Sequence, residues 1–137
     1  MKKPTKILID MVTDDIKEHR YRSADDWFDP MILSKYIKFN TVTADTGNMD
    51  YNFLILMHAL VEQYLCYKHK IKDEVVTKFD MDHPELDDPG EAIEAPYHEE
   101  HMIANNIEAE LSVALAVDWK KYVEAIEKTL KKYKYKK

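Results

Sequence analysis

Within the apolar run from Tyr51 to Tyr67, the strongly polar side chains are Asn52, His58, Glu62 and Gln63. His58 and Glu62 are four residues apart, which stacks them on one face of a helix. A glutamate in an apolar helix is costly to bury unless it is paired, protonated or bound to a cation, so a partner is expected for Glu62. The partners on offer lie further along the chain: Asp80, and the pair His98 and His101, three apart and therefore on one face of a later helix. Imidazoles and carboxylates in this combination form a ligand set for zinc, manganese or iron. The same residues fit a second interpretation, in which His58 and Glu62 are a hydrogen-bonded pair locking the core and His98 and His101 are exposed at a solvated helix start.

Other chemistry finds less support. Only two glycines occur in the 137 residues, and no phosphate-cradling glycine loop is present. Cys66 is the lone cysteine and sits among apolar neighbours, which raise a thiol's pKa rather than activate it. Trp27, flanked by Asp25, Asp26 and Asp29, is expected to cap a small core in preference to lining a pocket, and Trp119 is expected in the core.

The elements that must position these residues follow from periodicity and punctuation. Ile7, Leu8, Ile9, Met11 and Val12 fit either a short buried strand or one side of a helix. Glu18 to Pro30 reads as polar and irregular. From Ile32 to Thr43, Ile37, Phe39, Thr41 and Thr43 alternate against Lys38, Asn40 and Val42, which predicts a strand ending in a turn at Thr46, Gly47 and Asn48. Asn48 or Asp50 then caps a helix running to about His69. Asp73 caps a shorter one through Val75, Val76 and Phe79, ending near Asp80. Pro96 suits the first turn of a third, carrying Met102, Ile103, Ile107, Leu111 and Leu115, and Asp118 caps a fourth through Tyr122, Val123, Ile126 and Leu130. The expected fold is a single α+β domain, with two or more N-terminal strands in a strand-rich part at about 5–45. They pack on about four helices at 50–132, interrupted by an exposed acidic loop at 81–95 and followed by a lysine-rich tail at 131–137.

The formal net charge is −6, which argues against nucleic-acid binding through overall charge. Its distribution is uneven: Asp80 to Glu110 holds eleven acids and no Lys or Arg, whereas Trp119 to Lys137 holds eight lysines against Glu124 and Glu127. The acidic block is read as a solvated loop or a cation site. The lysines, interleaved with Tyr122, Tyr133 and Tyr135, have no arginine among them to grip phosphates or read bases. As complementary surfaces, the two blocks fit a homo-oligomer or a protein partner. The Tyr51–Tyr67 run is shorter than the roughly 20 residues that a bilayer span needs, so no membrane association is expected. The run behind Lys2 and Lys3 is interrupted by Asp10, Asp14 and Asp15, which with the single cysteine points to the cytoplasm.

Four stretches together resemble a family of small bacterial and phage proteins with a degenerate zincin-like helix: Asp26 to Asp29, His58 to Cys66, Phe79 with Asp80, and Pro96, Tyr97, His101 and Ala104. The resemblance implies that His58, Glu62, Asp80 and His101 belong together, that His98 stands apart, and that residues 6–12 form a strand. The helix is similar to the H-E-x-x-H metal helix of zincin peptidases. It departs from that pattern twice, because Ala59 stands where the general base would be and Glu62 replaces the second histidine. What the resemblance implies is a divalent metal at His58, Glu62 and His101, with Asp80 as ligand or outer partner and no base at the usual place for peptidase chemistry.

Overall fold

The computed structural model describes residues 6–14, 18–19, 25–33, 35–131 and 134–135. Among them the expected α+β architecture is present, with the strands at the N-terminal end and four helices following. Strand β1 (Lys6–Asp14) settles the ambiguous apolar run as a strand, and β2 (Glu18–His19) and β3 (Asp25–Trp27) follow it. The segment expected to be irregular thus contributes two short strands. It was opaque because Asp25–Trp27 offers one apolar side chain and no alternation. The single strand expected over 32–43 divides into β4 (Met31–Leu33) and β5 (Tyr36–Ala44).

β5 is the centre of the main sheet. β1 runs parallel to it in register from Lys6 opposite Tyr36 to Asp14 opposite Ala44. On the other edge β3 and β4 lie antiparallel to it, Trp27 opposite Thr41 and Ile32 opposite Ile37. The predicted alternation holds along β5: Ile37, Phe39, Thr41 and Thr43 are buried, and Tyr36, Lys38, Asn40 and Val42 only partly. β1 is a strand but not a buried one, since Ile7, Leu8, Ile9, Met11 and Val12 are all exposed. β2 pairs with β6 (Lys134–Tyr135) in a separate two-stranded ladder. The rest of the expected frayed tail, residues 132–133 and 136–137, lies outside the described residues.

Helix α1 (Met49–Lys68) covers the inner face of β5. Asn48 caps it, its side chain accepting from the Tyr51 N–H, after a turn in which Gly47 takes a φ of +82°. Gln63 ties helix to sheet by donating to the carbonyls of Phe28 (2.7 Å) and Asn40 (3.0 Å), while Phe39 packs between the rings of Tyr64 and Tyr67. Helix α2 (Asp73–Asp82) begins at Asp73 instead of being capped by it, and runs two residues beyond the expected end. The Asp73 N–H is taken up by Asp29 Oδ1 at 2.9 Å, which anchors the helix start to the loop after β3.

Helix α3 (His98–Ala114) starts two residues after Pro96 and packs along α1, and α4 (Trp119–Leu130) starts at the predicted Asp118 cap. Between α2 and α3 the acidic segment is not simply exposed: Pro89–Glu91 forms a 3-10 turn, and Gly90 and Ala95 are buried. Ala59 and Cys66 of α1 belong to one apolar cluster with Trp27, Val76 and Tyr97, and Leu54 and Ile55 belong to another with Tyr122. Among the described residues no helix is long and apolar enough to cross a membrane.

Candidate metal centre

Helix spacing puts His58 and Glu62 on one face of α1, and α3 brings His101 to the same point. All three are buried. Glu62 Oε2 accepts from His58 Nε2 at 3.2 Å and from His101 Nδ1 at 2.8 Å. Each residue offers one ligand atom such that all three lie within 4.8 Å of one another. Ligands held tetrahedrally about 2.0–2.1 Å from zinc stand roughly 3.3 Å apart, so this triangle has close to the size a metal requires.

Each of the three also has a partner on its far side. Trp27 Nε1 donates to Glu62 Oε1 at 3.2 Å, Glu108 Oε1 lies 2.8 Å from His58 Nδ1, and Asp88 Oδ1 lies 3.0 Å from His101 Nε2. Glu108 is fixed in turn by the Tyr122 hydroxyl, which donates to its Oε2 at 2.6 Å. The two imidazole contacts are short but off the hydrogen-bond axis, so buried His58 Nδ1 and His101 Nε2 lack an aligned partner. Carboxylates behind histidines are the usual way in which metal-ligating imidazoles are oriented and made more basic.

The electrostatics follow from this packing. Burial disfavours protonated His58, but Glu108 and Glu62 overcome it and hold the imidazole pKa well above its ordinary value. Burial likewise opposes charge on His101, and Asp88 and Glu62 outweigh it, moving its pKa up to about 9. Burial alone would raise the Glu62 pKa, yet the hydrogen bonds from His101 and His58 keep it well below the usual carboxylate range. Without a metal, then, the site is a chain of carboxylates and imidazolium rings; a cation entering it displaces protons.

Asp80 stands beside this group rather than within it. The Tyr97 hydroxyl donates to its Oδ1, and burial with repulsion from Glu62 raises its pKa to about 6 against the pull of that hydrogen bond. It lines the same cavity as His58, Glu62 and His101, a space of about 630 Å³. His98 is elsewhere, its Nδ1 meeting the Gly90 carbonyl at 2.9 Å. His101 is buried and not part of a solvated helix start.

Three features escaped the sequence reading. Of the aliphatic residues along α3, Ile103 is exposed, and the buried positions of the helix are Glu100, His101, Ala104, Glu108 and Ser112. Glu108 was detectable, since it lies seven residues and two turns beyond His101. Asp88 had no local signal, because a loop delivers it. Trp27 is buried as expected, but its indole N–H serves Glu62; Trp119, expected in the core, is 43% exposed at the cavity and packs edge-on against Tyr122. Neither a family model, nor a curated protein, nor a solved structure matches the chain.

Proposed function

We propose that the protein binds one divalent metal ion, zinc, manganese or iron, through His58, Glu62 and His101, and that the centre serves hydrolysis. The observation that supports this most strongly is the double layer of the site. Three ligand atoms are gathered from two helices, and each ligand is backed by a different element: β3 through Trp27, α3 through Glu108 and the acidic loop through Asp88. A two-histidine, one-carboxylate set leaves a coordination position for water, the pattern of catalytic rather than structural zinc. The likeness of α1 to the zincin helix points the same way. Ala59 removes the base from its usual place, and Asp80, held by Tyr97 in the same cavity, is the carboxylate assigned to take the proton.

The test is elemental analysis of purified, metal-loaded protein beside the Glu62→Gln and His101→Ala variants, with circular dichroism to confirm that each is folded. One metal per chain, lost in both variants, is the expected result. Substoichiometric metal after exhaustive loading, with a melting temperature unmoved by zinc, manganese or iron, defeats the proposal.

A second reading, a non-enzymatic protein that self-associates, is favoured by the sheet. Parallel strands are ordinarily covered on both faces, yet β1 exposes Ile7 and Ile9 on one side and Leu8 and Val12 on the other, and Ile32 of β4 is 54% exposed. Light scattering of the intact chain and of an Ile7→Lys, Ile9→Lys variant decides it: a monomer in both cases removes this reading.

A further inference from the structure

Strand β1 has one edge on β5 and the other open. The Lys6 N–H donates to the Lys35 carbonyl at the start of β5, and successive residues of a strand direct their backbone groups to opposite edges. Lys6, Leu8 and Asp10 therefore bond to β5, while Ile7 and Ile9 present N–H and C=O outward. Among the described residues no strand pairs with that outer edge. Native sheets guard an open edge with short strands, prolines or bulges. β1 has none of these: it is nine residues long, contains no proline and matches β5 residue for residue throughout. Ile7, Leu8 and Ile9 are exposed as well, so the apolar part of the strand is uncovered on both faces.

The charges flanking that apolar triplet say what fits it. Lys6–Ile7–Leu8–Ile9–Asp10 is complementary to its own reverse. Set antiparallel to a second copy with Leu8 on the two-fold axis, Ile7 exchanges backbone hydrogen bonds with the second copy's Ile9. Lys6 then stands directly opposite the second copy's Asp10, in the closer class of cross-strand pair, where opposite charges attract. Moving the axis to Ile9 sets Lys6 against Val12, and moving it to Asp10 sets Asp10 against itself. Among the described residues these charges make only long contacts, Lys6 with the Tyr36 ring at 5.5 Å and Asp10 with Lys38 at 4.0 Å, and both can turn to a new partner. The helices leave room, since α1 lies over β5 and β3. Two copies of β5 separated by both β1 strands stand roughly 14 Å apart, wider than packed helices require.

We propose that two copies of the chain join antiparallel through their β1 edges, Leu8 at the two-fold axis, into one continuous sheet. This rests on the self-association reading above and names the edge, instead of a face of the sheet, as the contact.

The test combines cross-linking with charge reversal in the full-length chain. Opposed Leu8 residues would have Cα atoms about 4.5 Å apart, within disulfide reach, and the native Cys66 is buried. Under mild oxidation Leu8→Cys is expected to form a covalent dimer severalfold faster than Ile9→Cys or Asp10→Cys, which place the thiol on the axis of the two other registers. In sedimentation velocity, Lys6→Asp and Asp10→Lys are each expected to weaken the dimer severalfold, and the double variant to restore it, a recovery that damage to the fold would not produce. A dimer that persists without Leu8→Cys cross-linking or charge-swap recovery overturns edge pairing and leaves association through a face. Fastest cross-linking by Ile9→Cys or Asp10→Cys overturns the proposed register. A chain monomeric at every concentration overturns both this proposal and the self-association reading, and leaves the edge to a strand of another protein.

Discussion

His58 and His101 come from different helices, yet both direct a ring nitrogen at one oxygen, Glu62 Oε2, and their rings stand edge to face with centroids 4.9 Å apart. Two imidazoles so close are tolerable as cations only because a carboxylate lies between them and another lies behind each.

Removing that central charge therefore has two separable effects. Glu62→Gln keeps the volume but leaves two buried imidazoles without their shared anion. Loss of one partner from a buried ionic group costs about 3–5 kcal/mol, lessened here to the extent that the rings give up protons. Urea denaturation in chelator should show a loss on the order of 2–4 kcal/mol, together with loss of bound metal. An unchanged urea midpoint would show that the network contributes nothing to folding.

Trp27→Phe tests the outermost layer. It keeps an aromatic ring against Ala59 and Cys66 but removes the N–H that reaches Glu62 Oε1 together with part of the buried indole volume. The expected stability cost is about 1–2 kcal/mol, and the metal dissociation constant should rise about 10–100-fold, as when an outer partner of a ligand is lost. A competition titration against a chromophoric chelator measures it. Affinity equal to that of the unaltered protein would reduce Trp27 to a packing residue.

How much of this was legible beforehand depended on whether a residue acts within its own element. The β5 alternation was readable because one face is buried, and His58 with Glu62 because helix periodicity stacks them. Asp88 and Trp27 were not, because they reach the centre from a loop and a three-residue strand whose positions only tertiary packing decides. The buried face of α3 was not legible for another reason. Its aliphatic residues define a stripe, but the structure buries the neighbouring face, where Glu108 and His101 are stabilised by groups on other elements.

The pH dependence of the metal-free protein has a definite sign. His101 is held at about 9, above its ordinary 6.5, so its contribution is complete below pH 6.5 and is lost as pH rises through about 9. His58, also raised, acts in the same direction. Asp80, raised to about 6 from 3.8, adds a loss that accumulates as pH climbs from 3.8 to 6 and is complete above it, because its buried carboxyl must then ionise. Glu62 is lowered, so its contribution holds above the ordinary carboxylate value and fails only in stronger acid. Maximum stability of chelator-treated protein should therefore fall near pH 4–5, with a decline on the order of 2–3 kcal/mol between pH 6.5 and 9 as the histidine contributions are lost. Metal reverses the trend, since it needs the imidazoles deprotonated, and its affinity should increase over the same range. Denaturant midpoints at pH 5.5, 7 and 9 with and without zinc check both; parallel profiles for the two forms would mean that metal and protons do not compete at these histidines.

The two glycines make a paired test of whether the acidic loop is part of the site. Gly47 has a φ of +82° and open space where a side chain would stand, so Gly47→Ala costs about 1 kcal/mol through backbone strain alone and leaves metal binding intact. Gly90 has no such φ; instead a Cβ there would stand 2.4 Å from His101 Cγ. The ring and the turn cannot both keep their places, and the turn carries Asp88 next to it. Gly90→Ala should therefore cost about 1–3 kcal/mol and weaken metal binding tenfold or more by displacing His101 or its Asp88 partner. Melting curves give the first quantity and chelator competition the second. If Gly90→Ala loses stability while binding metal as the parent does, the loop is a structural brace and Asp88 has no part in holding the ion.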